Sequence, residues 1–580
     1  MKKRKLVTLV AMMLLVAALL AVTACTSNDE STPAPGTHAG QTQPPAAQTP
    51  PPTIPVVETG EMAIPAMMNP IGELPIVNQP VTLTIFTGAG AGIDYTTNLS
   101  SLELQYRTGI DIEWIQVPAA DMATRRNLML ATGDLPDIFA NGVGTHAAVF
   151  HYANLGIFRP ITPYIPTFAP ELQRVFGIHP YIHDDMIMPD GHIYAFTAVD
   201  DCFHCTMNLR MWIYWPWMEN LGLEMPRTTE EFFDVLVAFR DNDPTGTGRQ
   251  VIPMGAAFGT WDHGINSIVN AWITNNQDRT LMRNGQVAVI YDTEEFRDAL
   301  RFVHRLYTEG LFAEESLVLD RAGLRQLNDS GPDGANNVGV HMANWVGGTT
   351  SHWNQGQWHI VPALMGPDGH QVTTYNHLRG NNRAVITNRV SDEMMPIAVR
   401  FLDSLLTDEM ALLMVQGIED LTWRRSDPGS IGIHGGPAMW ERLTLDPPVQ
   451  NITLGQIFPN FRSNDFRLSE RANRDLPDGR VEQEVWLFEQ SMNLLPYRDT
   501  IDNIVPMLIF GEAVTAELVD IETALTTFVD EMQARFIVGD LCLENDWDWY
   551  IRELNVIGLP RFLEIMQEAY DQRSARIAAR

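Results

Sequence analysis

The chain has 580 residues, with 71 acidic against 39 basic side chains and a formal net charge of −32. That length is too great for one hydrophobic core and implies two or more lobes. The charge opposes binding to nucleic acid or anionic lipid and favours neutral or cationic ligands, although a local arginine pocket can still hold an anion.

Lys2, Lys3, Arg4 and Lys5 open the chain, and an uncharged apolar run from Leu6 to Ala21 follows. Small residues then precede Cys25. This is the layout of a secretory signal peptide over residues 1–24. Val22-Thr23-Ala24-Cys25 resembles a bacterial lipobox, which implies cleavage before Cys25 and lipidation of its sulfur. The alternative is an uncleaved membrane anchor. From 25 to 60 the chain is a lipidated cysteine and a Pro/Thr-rich tether. Eight prolines and no aromatic residue lie between Thr26 and Gly60. Such a segment cannot bury enough surface to fold and extends to roughly 100 Å. Without the four N-terminal cations, 35 basic residues face 71 acids, a net charge of −36.

Val81 to Phe86 is β-branched and alternating, the pattern of a strand, and Gly88 to Gly92 form the loop after it. A helix is predicted from Ser100 to Arg107, a strand from Ile110 to Val117, and a helix from Met122 to Ala131. Gly133 caps that helix and Pro136 blocks its continuation. Asp137 to Ala140 begins a further strand. The succession of strands and helices is that of an open α/β sheet.

A second α/β region begins with a strand from Asn208 to Tyr214. Cys202-Phe203-His204-Cys205 is one C-x-x-C, which alone is a weak redox or metal signal. Its expected role is structural or incidental, with His204 pointing away if the segment is a strand. Thr228-Thr229-Glu230-Glu231 reads as a capping box opening a helix with Phe232, Phe233, Leu236, Val237 and Phe239. A further helix starts at Asp292 to Glu295 and carries Phe296, Leu300, Val303, Leu306 and Tyr307 at helical spacing. Ser391 caps another. The last hundred residues are mostly helical, with clear periods over 521–536 and 559–570.

Six stretches in this order resemble family 1 extracellular solute-binding lipoproteins, the sugar-capturing subunits of ABC importers. The likeness is to the long Gram-positive type related to alginate-binding proteins. They are LMLATGDLPDIF (128–139), DGHIYAF (190–196), WMENLGLEMPRTTEEFFDVLVAFRDNDPTGTG (217–248), ALRFVHRLYTEGLF (299–312), GPDGH (366–370) and WDWYIRELNVIGLPRFLEIMQEAYDQ (547–572). The resemblance implies an α/β, two-lobed, periplasmic-binding-protein-like fold of type II. Its lobes are discontinuous and hinged, with a helical C-terminal extension. Lobe 1 is expected at 78–198 plus about 372–430, and lobe 2 at 199–371 plus about 431–580. The chain should cross near Ala198 and return between Val340 and Val372.

Relatives in that family often carry a calcium loop. Here the loop is DPTGTGRQVIP, with Asp243 in the first ligand place and Thr245 and Thr247 in the next two. Calcium takes six to eight oxygens with enough negative charge to offset dehydration. One carboxylate with hydroxyls falls short, so neither calcium nor any other cofactor is expected, and Arg249 is the alternative brace of the loop.

Sugars present apolar C–H faces to aromatic rings and hydroxyls to Asp, Asn and Arg. Trp217, Trp547 and Trp549 occupy packing positions. Trp261 with Asp262, Asn344 with Trp345, and Trp423 with Arg424 lie in loop-like stretches that match cleft-lining loops of the family, and are the expected ligand contacts. Core packing is the alternative for each tryptophan. Asp201, its neighbour Asp200, Thr87 and Gly88 are further candidates. Arg424 is suited to a uronate carboxylate or to neutralising acidic surroundings.

No Gly-x-Ser-x-Gly elbow, His-Glu-x-x-His or P-loop is found, and a glycosidase carboxylate pair has no specific support among 71 acids. The expected function is non-catalytic capture of an oligosaccharide or sugar derivative for ABC import. The protein would be a monomer, lipid-anchored at the outer face of the cytoplasmic membrane, delivering to permease subunits. A peptide binder or a ligand-presenting sensor subunit is the alternative.

Overall fold

A computed structural model of the chain describes residues 62–579, apart from 259–263, 352–356, 377, 444, 446–448 and 475–480. The predicted signal peptide, Cys25 and the tether lie outside the described residues, as do Trp261 and Asp262. No described helix is long and apolar enough to cross a membrane.

The first half builds a sheet. β1 (Val81–Ala89) is followed by α1 (Leu99–Thr108), β2 (Ile110–Pro118), α2 (Met122–Thr132), β3 (Ile138–Ala140) and α3 (His146–Asn154). Next come α4 (Pro180–Met186), β4 (Ala195–Phe196) and β5 (Ala198–Asp200). β1 reads VTLTIFTGA, and all but its second residue are buried. That is the signature of a strand covered on both faces. It pairs in parallel with β2 and β3.

The chain then enters a second sheet at β6 (Met211–Tyr214), followed by α5 (Thr229–Asp241), β7 (Ile252–Met254), α6 (Glu294–Thr308), β8 (Val338–Met342) and β9 (Trp358–Ile360). The order is β9-β6-β8-β7, with β7 and β8 parallel. The predicted capping box is present. Thr228 Oγ1 accepts from Glu231 N at 3.1 Å, and the Glu231 carboxylate accepts from Thr228 N at 3.2 Å. Such a cap contributes about 1 kcal/mol. α6 begins two residues later than Asp292, with Thr293 as N-cap. It buries Phe296, Leu300, Val303 and Leu306 on one face. Each of these side chains contributes roughly 1.5–3 kcal/mol by leaving water.

The chain returns to the first sheet as β10 (Ala384–Ile386), completing the order β2-β1-β3-β10-β4. Then follow α7 (Met395–Ser404), α8 (Asp408–Val415), the hairpin strands β11 (Trp423–Arg425) and β12 (Trp440–Arg442), and β13 (Asn460–Arg462). Ser391 sits at the turn before α7, where its carbonyl accepts from Met395 N at 3.0 Å. The helices α9 (Glu512–Val538), α10 (Trp547–Ile557) and α11 (Leu559–Ala578) close the chain.

Each sheet has its own apolar core. The first holds Leu83, Ile85, Phe86, Phe139 and Phe401; the second holds Ile213, Phe232, Phe239 and Val340 together with Leu525, Phe536 and Tyr550 of the closing helices. Leu454, Ile457, Phe458 and Phe461 belong to the first core, where the sequence suggests a second-lobe segment. The reason is the pairing of β13 with β5, which carries this stretch back beside the first sheet. Trp217 and Trp547 are core residues, as predicted.

Cys202 and Cys205 form a disulfide on the crossing between the sheets. The segment is a 3-10 turn, not a strand, so His204 does not point away: it lies within 4.8 Å of both sulfurs. Farther along, Arg573 of α11 donates to Asp185 of α4 at 2.9 Å. Asp185 is fully buried, which pushes its carboxyl up to about 6.

Candidate functional site

In open α/β sheets, ligands bind beyond the carboxyl ends of the strands. In the first sheet that edge consists of Thr87 and Gly88 at the end of β1 and Asn141 to Thr145 after β3. β10 runs antiparallel to β3, so the residues before it, 379–383, join the same edge. In the second sheet the edge is formed by Gly255 to Phe258 after β7 and Ala343 to Trp345 after β8.

A cavity of about 620 Å³ opens at the first edge. Its walls are the turn 144–147, the run 379–383, and the segment 507–510 with Thr515 at the start of α9. The turn needs its glycines. Gly142 has φ +56°, and a Cβ there would lie 2.2 Å from Met122. Gly144 has φ +116°. Thr145 caps α3 by accepting from Ala148 N at 3.2 Å. Arg383 Nη1 donates to Asn141 Oδ1 at 2.8 Å. The His146 ring is held neutral, its pKa lowered to about 4 by burial. Burial likewise lowers the affinity of Arg383 for its proton.

A second cavity, of about 480 Å³, lies along α9, between Phe258, Asp278, Arg279 and Tyr291 on one side and Glu522, Thr526, Asp530 and Gln533 on the other. Arg279 pairs with Asp530 at 2.7 Å. Arg379 of the first cavity pairs with Asp278 of the second at 3.1 Å, so the two adjoin. α9 runs past both, from Thr515 to Gln533. At 1.5 Å per residue this is a floor of about 27 Å. The Glu522 carboxyl is raised by burial and by Asp278.

The sequence-predicted residues fall in several places. Trp345 is half-buried at the carboxyl end of β8, its ring lying over Gly347, where a Cβ would meet it at 2.2 Å. Asn344 accepts from Arg321 Nη2 at 3.0 Å through its side chain and from Arg210 through its carbonyl. Trp423 is not a ligand surface. It is 4% exposed, packs with Leu412, Trp440 and Phe466, and donates to the Gly417 carbonyl at 3.1 Å. An indole whose face and N–H are both satisfied internally is a core plug. Arg424 is bound to Glu441, which also accepts from Arg471 at 2.6 Å, so it neutralises local acid.

Asp200 and Asp201 serve the crossing. Asp200 accepts from Arg462 at 2.6 Å and from Arg467, and Asp201 accepts from Asn464 N at 3.2 Å. Thr87 is wholly buried, its hydroxyl without a hydrogen-bond partner among the described residues. Gly88 admits α2, since a Cβ there would lie 2.8 Å from Met122 Sδ. Sequence reasoning missed His146, Asn382 and Arg383. The available signals were the run NGVGTH (141–146) after a strand and the polar run RGNNR (379–383) before an apolar one.

In the degenerate loop the candidate ligands are engaged with one another and with the backbone. Asp243 accepts from Thr245 Oγ1 at 2.8 Å and Gly248 N at 2.7 Å, bonds that hold its carboxyl below the usual range. Thr245 and Thr247 bond each other at 2.7 Å. Asp241 is paired with Arg240 at 2.7 Å. Arg249 braces the loop by donating to Asn337 Oδ1 at 2.8 Å and the Asn336 carbonyl at 2.5 Å.

No protein-family profile matches the chain. It is 25% identical over 490 residues to the fructooligosaccharide ABC transporter substrate-binding protein FusA of Streptococcus pneumoniae, covering 81% of this chain and 86% of that one. A solved HMO-binding, ABC-transporter-associated solute-binding protein of Bifidobacterium longum infantis superposes with a TM-score of 0.71 at 17% identity, over 85% of this chain and 99% of that one. The alginate-binding protein AlgQ2, solved without calcium, superposes with a TM-score of 0.59 at 19% identity, over 86% of this chain and all of that one. The fold is that of two-domain solute-binding proteins, and the chain's homologues are sugar-binding proteins of ABC transporters.

Proposed function

We propose that this chain is the lipid-anchored capture subunit of an ABC importer. It takes an oligosaccharide or sugar derivative outside the cell and passes it to membrane permeases. The observation that carries the reading is homology to a fructooligosaccharide-binding subunit across four-fifths of the chain. The two sheets support it, because the carboxyl edge of each meets a cavity that carries polar groups in its lining, and the cavities adjoin along α9.

The mechanism is a shift of population. Ligand contacts groups of both lobes, makes its full set of contacts only when they close, and so favours the closed state by that difference. No bond is broken, and the groups that line the cavities act as donors, acceptors and a stacking surface. Cys25, lipidated, holds the protein at the outer face of the membrane, and the proline-rich tether gives it reach. It works as a monomer.

Thermal-shift and calorimetric titration of the chain against an oligosaccharide panel tests this. A bound sugar at a hundred times its Kd adds about 2.7 kcal/mol to folding stability. Chromatography of the mixture should return the sugar unchanged. Release of shortened products would establish an enzyme instead. For the anchor, labelling cells with an alkyne fatty acid should mark the protein, and Cys25→Ala should lose both label and membrane retention.

A further inference from the structure

The cavity at the first sheet edge is chemically unlike the rest of this acidic chain. The protein carries 71 carboxylates, yet none of the described side chains lining this cavity is one. It holds two arginines instead. Arg379 has Asp278 as its counter-ion. Arg383 has no carboxylate among the described residues. One Nη donates to Asn141, and its buried Nε has no partner.

Three further groups are left open there. α3 starts at the cavity with nine residues, and Thr145 Oγ1 takes the amide of Ala148. The amides of His146 and Ala147 have no intrahelical acceptor, and the helix dipole makes that end positive. His146 lines the cavity at 9% exposure, and its Nε2 has no hydrogen-bond partner among the described residues. Asn382 donates weakly to the Gly144 carbonyl at 3.4 Å, while its Oδ1, also buried, accepts from nothing described. A buried unpartnered polar atom costs about 1–3 kcal/mol. Several in one cavity mark a place where a partner arrives from outside.

The donors and the acceptor specify that partner. Arg383 Nε and the two amides line one cavity as a positive set of donors, the chemistry that takes the oxygens of a carboxylate. Asn382 Oδ1 calls for a donor beside it, such as a hydroxyl. We infer that the turn 141–147 with Asn382 and Arg383 is a subsite for an acidic sugar unit, whose carboxylate sits at the N-terminus of α3 against Arg383 and whose adjacent hydroxyl donates to Asn382. A neutral fructo- or gluco-unit leaves Arg383 without a counter-ion. This rests on the oligosaccharide reading and narrows it to chains that carry a uronate residue.

The test is calorimetric titration of the full chain at pH 7 with uronate oligosaccharides (galacturonate, glucuronate and mannuronate/guluronate series), their methyl esters, sulfated neutral oligosaccharides, and neutral fructo-oligosaccharides. At least one uronate series should bind. Its methyl ester should bind at least tenfold more weakly, and raising the salt should weaken only the acid form. Arg383→Gln should weaken the acid form ten- to a hundredfold and leave the ester unchanged, with Arg383→Lys between them. The ester comparison uses the unaltered protein, so it decides the question even if a variant folds poorly. Equal affinity for acid and ester overturns the subsite, and so does preference for the sulfated chains. Neutral sugars bound tightly and unaffected by Arg383→Gln overturn it too, while the oligosaccharide reading stands. Binding of no saccharide of any class defeats both.

Discussion

Two of the arginine clusters in this molecule differ in their surroundings. On the crossing between the sheets, Arg462 and Arg467 converge on Asp200, Arg467 also reaches Glu484 at 3.3 Å, and Arg442 holds Glu470 at 2.8 Å. Each of these three guanidiniums has a carboxylate. At the first sheet edge, Arg383 has an amide oxygen and nothing more. Burial is similar in kind, so exposure does not separate them; pairing does. A buried ion pair completed within the chain is architecture, because removing one partner strands the other. A cation left without a counter-ion on the wall of a cavity is positioned for something the chain lacks. The contrast also bears on Asp200, drawn from sequence as a ligand contact: its charge is met within the chain by Arg462 and Arg467.

The sharpest way to break this comparison is to truncate the crossing. Arg467→Ala leaves Asp200 and Glu484 short of a counter-charge in a mostly buried setting. Removing one partner of a buried pair costs about 3–5 kcal/mol, and Arg467 retains 16% exposure, so a loss near the lower value is expected by urea denaturation. A change below about 1 kcal/mol would mean that the crossing is not held by charge.

Next in size is the pH response of His146. Its pKa is about 4 in the folded chain against 6.5 for the free side chain. The unfolded chain therefore takes up a proton first, and stability is lost as pH falls from 6.5 towards 4. The linkage is about 1.4 kcal/mol per pH unit for one proton, a ceiling of about 3 kcal/mol across that window. Asp185 and Asp403 act in the opposite sense, since burial raises their carboxyls to about 6 and about 7. The quantity to measure is thus the difference between the wild type and His146→Gln at each pH. It should shrink as pH drops below 6.5 and be flat above it.

A smaller effect is expected in the loop at Asp243. Thr245→Val removes hydroxyl bonds to Asp243 and Thr247. One exposed hydrogen bond is worth roughly 0.5–1.5 kcal/mol, and the lower end applies. Adding calcium or a chelator should leave the melting temperature of wild type and variant alike. A calcium-dependent rise would show that hydroxyls suffice where carboxylates are missing.

Much of the fold is written in local pattern. The capping box at Thr228, the strand at Val81 and the apolar face of α6 follow from residue spacing and side-chain chemistry, while the burial of that strand on both faces does not. The site is less legible, because its groups meet only through topology. The turn after β3 and the run before β10 are separated by more than two hundred residues, and antiparallel pairing alone brings them together. Trp423 misled for a related reason: a loop tryptophan with polar sequence neighbours looks exposed until the hairpin folds over it. Trp345 was drawn from a loop-like stretch before Gly347 and Gly348, and it lies half-buried beyond the carboxyl end of β8.

The smallest expected change is the one that bears most directly on the two arginine clusters. Arg383→Gln keeps a donor for Asn141 and removes a charge that has no counter-ion. Deleting an uncompensated buried charge is neutral or favourable to folding, whereas deleting one member of a completed pair is not. Stability by urea denaturation should therefore move by less than about 1 kcal/mol, towards higher stability if it moves, while affinity for acidic sugar falls. Both readouts are needed. A loss as large as that of Arg467→Ala would place Arg383 with the structural arginines and return the cavity to being a packing defect. Unchanged stability with reduced affinity would separate the two clusters by function, with the same side chain holding the fold in one and awaiting ligand in the other.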